Sequence, residues 1–290
     1  MPTRSRGSSK ELARAMRTAI VLMTAEAQAA HVGSSMSVAD ILAVLYSGGA
    51  RIDPTRPDWP DRDRVVVSKG HASAAVLACL GISGYFETKR LREYCKDGSM
   101  LAGHVTRSGV PGVDFSTGSL GHGLPFAVGT ALAAKRQGSD RRAFCVLSDG
   151  ELDEGSVWEA ALFASHHQLS SVIVLIDRNG IQSLGSTEDT IALEPLEDKW
   201  KAFGWSTSRI DGHDHSQIAS AIRRAGRTTA PTCIVAETTK GKGVTFMEDQ
   251  VVWHYRSLSG DPLADAIEQV TGERLTPADA WDRVVCAENL

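Results

Sequence analysis

Residues 143–179 read AFCVLSDGELDEGSVWEAALFASHHQLSSVIVLIDRN, and the fold is decided here. An apolar run, Ala143 to Leu147, meets the turn SDGELDEG, a helix-forming stretch from Val157 to His167 follows, and a second apolar run covers Ser171 to Ile176. Strands apolar throughout that alternate with helices are those of a parallel sheet covered on both faces. On the helix, Trp158, Ala161 and Leu162 are expected to share one side. Outward along the chain the pattern repeats. Val65 to Ser68 reads as a short strand that turns at Lys69-Gly70-His71 into an alanine-rich helix, and further strands are expected at 205–210, before DGHD, and at 232–237, before TTKGKG. The class is α/β, mainly parallel, with helices on both faces, and its ligand belongs beyond the carboxyl ends of the strands.

The remaining segments frame that core. Residues 1–10 are polar and expected to be disordered, residues 11–260 form the main domain, and 261–290 form a helical tail. The stretch Arg4 to Ala30 has the basic start and apolar run of a signal peptide. Its apolar run is short, however, Glu26 follows it, and Leu12, Met16, Ile20 and Met23 recur at helical spacing, so a core-facing helix over 11–30 fits better. HVGSSMS, His31 to Ser37, is expected to be a loop before a helix from Val38 to about Tyr46.

The chain has 290 residues, 42% hydrophobic and 23% charged, which suits a soluble globular protein and argues against disorder or a membrane span. Its 31 basic and 35 acidic residues leave a net charge of -4 without long one-sign blocks, so neither nucleic acid nor membrane is an expected partner. A small molecule is. Five cysteines without a CxxC pair point to a reducing, cytoplasmic compartment.

Asp149 and Asn179 lie thirty residues apart, each just past a predicted strand, so one strand–helix–strand unit should bring them side by side. A carboxylate and an amide oxygen there suit Mg2+ or Ca2+. Both are also ordinary turn residues, and spacing alone leaves the two readings open. No GxGxxG and no GxxxxGK[ST] occurs, which argues against nicotinamide and P-loop nucleotide sites.

The segment from Ser148 to Gln182 resembles the thiamin-diphosphate motif of transketolase-like enzymes, which opens on Gly-Asp-Gly and closes on Asn. Four histidine segments and a glycine-rich loop extend the resemblance in order: HVGSSMS, DRDRVVVSKGHAS (Asp61 to Ser73), AGHVTR (Ala102 to Arg107), STGSLGHGL (Ser116 to Leu124) and EDQVVWHY (Glu248 to Tyr255). The resemblance implies the diphosphate-binding (PP-type) fold and Mg2+ or Ca2+ held by Asp149, Asn179 and the carbonyl of Ile181. Gly150 would let the backbone approach phosphate, and Gly118, Ser119 and Leu120 would lie beside the thiamin rings. His71 and His254 would contact the diphosphate or the reacting substrate, His31 and His104 donor and acceptor hydroxyls, and Glu154 would help link paired active sites. Imidazole suits such proton traffic because its pKa lies near neutrality.

The family's activating glutamate belongs to a pyrimidine-binding domain that would begin only after Leu290, so the resemblance implies a separate C-terminal partner chain and a heterotetramer with two copies of each chain. The implied reaction is transfer of a two-carbon ketol unit from a ketose, or ketose phosphate, to an aldehyde. Alternatives are one chain of a 2-oxoacid decarboxylase or carboligase, and a non-catalytic scaffold. The sequence departs from the family pattern at Ala30, His122, Ser148, Arg178 and Tyr255-Arg256. Lys240 and Lys242 read as solvated, and His166, His167, His213 and His215 as satisfied polar residues.

Overall fold

The computed structural model describes residues 8–227, 229–288 and 290. Its sheet has five strands, β1 Arg64–Val67, β2 Ala143–Ser148, β3 Val172–Arg178, β4 Ser206–Asp211 and β5 Thr232–Glu237, in the order β1-β2-β3-β5-β4. All four pairings are parallel. Each strand lies within one or two residues of its expected position.

Side chains along a strand alternate between faces, and here the alternation sorts them into two cores. Phe144, Val146, Ile173, Leu175 and Ile234 join one apolar cluster, while Cys145, Leu147, Val172, Val174, Ile176 and Val235 join the other. Val172 to Ile176 are wholly buried, each worth roughly 1.5–3 kcal/mol. β4 departs from the apolar expectation. It reads STSRID, is mostly half-buried, and pairs on one side only. At this edge Arg209 makes ion pairs with Glu194, Glu197 and Glu237, charges that discourage pairing with another chain.

Eleven α-helices are described: α1 Ser9–Glu26, α2 Val32–Ser37, α3 Ala39–Val44, α4 Ser73–Ile82, α5 Gly123–Arg136, α6 Gly155–His166, α7 Thr187–Thr190, α8 Leu196–Ala202, α9 His215–Arg224, α10 Gly260–Thr271 and α11 Pro277–Cys286. α1 starts two residues earlier than expected because Ser8 and Glu11 form a reciprocal capping box, so Ser9 and Lys10 are helical. Residues 1–7, where disorder is expected, lie outside the described residues. The signal-like run is core: Ala19 to Met23 are at most 1% exposed. α10 and α11 contribute Ile267, Trp281 and Val284 to the same cluster as α1.

One local expectation fails. HVGSSMS is not a loop, since Val32–Ser37 forms the short helix α2 with every residue buried. The inward stripe of α6 is Val157, Ala160, Ala161 and Ala164, while Leu162, about 100° further round the helix, is 60% exposed. The small residues of that stripe join the second apolar cluster, beside α5. All five cysteines are free, and among the described residues no helix is long and apolar enough to cross a membrane.

Candidate active site

Because the strands are parallel, their carboxyl ends collect at one edge, and the chemistry-bearing residues lie just beyond them. Lys69 and His71 follow β1, Asp149 follows β2, Asn179 and Ile181 follow β3, and Lys240 follows β5. A single cleft is lined by His71, Leu120, Asp149, Gly150, Asn179, Ile181, Lys240 and His254.

Asp149 is 1% exposed. Its carboxylate accepts hydrogen bonds from the Gly180 amide at 2.6 Å and the Gly150 amide at 2.9 Å, and Arg178 reaches it at 3.2 Å. Burial, with neighbouring Asp177, nevertheless pushes its pKa above the usual carboxylate range. Asn179 Oδ1 accepts from the Ile181 amide at 3.2 Å. A carboxylate, an amide oxygen and the Ile181 carbonyl are the hard oxygen donors that suit Mg2+ or Ca2+, so the residues present fit the implied ion. Among the described residues no group of three or more His, Cys, Asp or Glu side chains forms a rival metal site.

Lys240, read from the sequence as solvated, is 1% exposed. Its ammonium donates to the Ile181 carbonyl at 3.1 Å and to His254 Nδ1 at 3.0 Å. Burial and nearby Lys69 lower its pKa to about 8, against the pull of Asp149 and Asp177. Lys69 escapes sequence reasoning altogether. Fully buried, it pairs with Asp177 and donates to the Ser34 carbonyl at 3.0 Å. TTKGKG could have signalled Lys240, because a lysine beside a glycine turn just past a buried strand sits where ligands collect. Lys242 stays partly exposed, 3.5 Å from Glu248.

The histidines converge. The ring of His31 lies 5.5 Å from that of His71, 5.7 Å from His104, 5.1 Å from His254 and 6.3 Å from Tyr255, centroid to centroid. Burial, with His104, Lys240 and Lys69, lowers the pKa of His31 to about 4. Burial, with Lys240, His31 and Lys69, lowers that of His254 to about 3, and burial with Lys69 holds His71 well below its ordinary value. These rings are neutral at pH 7 and can donate or accept. His31 also has a backbone φ of +72°, a left-handed conformation uncommon outside glycine. Its amide donates to the His254 carbonyl at 2.8 Å.

The glycine-rich loop is held by a residue that sequence reasoning passes over. Glu151, fully buried, accepts from Ser68 Oγ, from the Gly121 amide at 2.8 Å and from the Ser148 amide at 3.2 Å. Gly118 and Ser119 are exposed, with Gly118 against His104, and Leu120 reaches the cleft. A Cβ on Gly150 would lie 2.8 Å from Gln182 Cγ, so the space it leaves is filled by that side chain. Glu154 is exposed at the start of α6, where a Cβ on Gly121 would come within 2.7 Å of it. Among the departures, Ser148 ends β2 without positive φ, Arg178 pairs with Asp149 and Glu188, and His122 Nδ1 donates to the Leu120 carbonyl. His213 and His215 have the expected polar partners, both bonding Asp40.

Comparison with known proteins matches residues 8–275 to the family described as transketolase, thiamine diphosphate binding domain. The chain is 41% identical over 244 residues to the 6-deoxy-6-sulfo-D-fructose transketolase subunit SqwG of Clostridium sp., covering 84% of this chain and 89% of that one. It is 38% identical over 262 residues to one of the subunits of the apulose-4-phosphate transketolase of Actinobacillus succinogenes, covering 90% and 95%. The crystal structure of transketolase from Campylobacter jejuni superposes with a TM-score of 0.87 at 32% identity, over 96% of this chain but 46% of that one.

Proposed function

This chain belongs to the transketolase family, in its thiamine diphosphate binding domain, and on that footing we propose that it is the diphosphate-binding subunit of a two-chain transketolase. It spans about nine-tenths of the two relatives named as subunits and less than half of the Campylobacter enzyme, which supports a partner chain carrying the remainder. The reaction is transfer of a two-carbon ketol unit from a ketose to an aldehyde. The relatives are named for a sulfonated and a phosphorylated sugar, so a ketose with an anionic group is the first donor class to test.

The observation that carries this reading is the cleft itself, where Asp149, Asn179, Ile181, Lys240, His71 and His254 meet, with the rings of His31 and His104 grouped beside those of His71 and His254. Asp149, Asn179 and Ile181 would hold Mg2+ or Ca2+, and that ion and Lys240 would neutralise the diphosphate. His71 and His254, which line the cleft, would face the diphosphate and the reacting carbon, and His31 and His104 would bind sugar hydroxyls. Thiamine diphosphate, when bound, supplies the carbanion and electron sink needed to break a carbon–carbon bond beside a carbonyl. The chain's own work is to bind, orient and move protons. The neutral imidazoles of His31, His71 and His254, within 6 Å of one another, can pass a hydroxyl proton without creating a buried charge pair.

Gly118, Ser119 and Leu120 would border the thiamin rings, and Glu154 on the open end of α6 would link the sites of a heterotetramer. A cytoplasmic setting agrees with five free cysteines. The test is reconstitution with the partner chain, thiamine diphosphate and Mg2+, followed by a donor screen. Ketol transfer from ketose phosphates, and none from this chain alone, is expected. Full activity without a partner would overturn the split arrangement, and turnover of pyruvate-like acids in place of ketoses would replace the reaction.

A further inference from the structure

Lys240 owes its place to a short loop, and that loop is gripped from behind by side chains outside the cleft. The Thr239 amide donates to His213 Nε2 at 2.9 Å, one residue before the lysine. Because Nε2 accepts, the ring proton must sit on Nδ1, which donates to Asp40 Oδ2 at 2.6 Å. Two residues after the lysine, the Lys242 carbonyl accepts from Arg17 Nε at 3.0 Å, and Arg17 Nη1 donates to Asp40 Oδ1 at 3.0 Å. Between them the Gly241 amide donates to the Gly33 carbonyl at 3.0 Å. At Gly241, φ is +81° and a Cβ would meet the Met247 carbonyl at 2.6 Å.

One carboxylate, 5% exposed, therefore supports both hands of a grip: imidazole on the amide before Lys240 and guanidinium on the carbonyl after it. The parts come from α1, α3 and the turn beyond β4. We infer that Asp40, Arg17 and His213 form a positioning clamp that fixes Lys240 at the Ile181 carbonyl. They act on the cofactor only through the Thr239–Lys242 loop and touch nothing that reacts. The inference rests on the proposal that Lys240 meets the diphosphate. A histidine that merely satisfied Asp40 could present either nitrogen to it; this one spends its second nitrogen on the loop.

The test is a double-mutant cycle on the complex with its partner chain, reading the dissociation constant of thiamine diphosphate with Mg2+ by calorimetry. His213→Ala is expected to weaken binding about 10-fold, the scale of a lost supporting contact, and Lys240→Met more. The double variant should bind no more weakly than Lys240→Met alone. His213→Gln, whose amide oxygen can reach the Thr239 amide, should restore most of the loss where His213→Asn does not, a comparison that stands even if His213→Ala does not fold. Unchanged affinity in His213→Ala, or losses that multiply in the double variant, would overturn the clamp. Failure of the unaltered complex to bind cofactor would instead overturn the functional reading beneath it.

Discussion

On one side of the cleft the ends of β2 and β3 present Asp149 and Asn179, two oxygen-bearing side chains with the Ile181 carbonyl beyond them; on the other, the loop after β5 presents a single ammonium to that same carbonyl. The first side is built from short-range geometry, one strand–helix–strand unit with a turn at each end. The second is built from contacts between segments about two hundred residues apart, Arg17 with Lys242 and Gly33 with Gly241. On the proposed reading, a pyrophosphate-sized anion would be met by two cationic devices of unlike origin, a recruited ion and a resident lysine, converging on one backbone oxygen.

The heaviest loss is expected on the oxygen side. Asp149→Ala removes a charged ligand and should weaken cofactor retention by at least about 100-fold in the reconstituted complex, beyond the cost of losing a supporting contact. Equilibrium dialysis against thiamine diphosphate and Mg2+ checks it, and near-normal uptake would mean that the lysine side suffices. Lys240→Met should cost less, about 10- to 100-fold, the worth of one charge-assisted hydrogen bond. Its Mg2+ dependence should persist, because the oxygen ligands remain.

Acidity probes the lysine side, whose charge helps to keep His31 neutral. The folded pKa of His31, about 4, lies below the ordinary 6.5, so between those values the unfolded chain binds the extra proton. Stability is therefore fully present above pH 6.5 and is lost as pH falls toward 4. Thermal unfolding of the cofactor-free chain should show that decline, and His31→Gln should make it shallower, with His254 and His71 supplying the remainder. The smallest effect is expected at Ser148→Gly, which installs the family's usual glycine where φ is not positive. Denaturant unfolding should register a loss of only about 0.5–1 kcal/mol, the entropic penalty of glycine in a strand, and little change in cofactor binding.

Much of this architecture is legible in the sequence because it is local. Four apolar runs with turn residues behind them mark four of the strands, and the parallel rule then places Asp149, Asn179 and His71 at one edge. The failures have physical causes. HVGSSMS is too short and too polar to show a helical period, and α2 forms because its neighbours bury it. On α6 the buried stripe is set by Val157 and three alanines that join the second apolar cluster, which leaves the larger Leu162 outside. Lys69, Glu151 and Lys240 escape notice because charged residues are ordinarily exposed. Only partners distant in sequence, Asp177 for Lys69 and Ser68 for Glu151, reveal why these are buried.

The bond from the His31 amide to the His254 carbonyl joins the first and last histidine segments directly. Neither can peel from the cleft without releasing the other. Deuterium uptake at His31 should then follow one concerted opening of the whole rim, and a ligand seated below it would slow that exchange at both segments together.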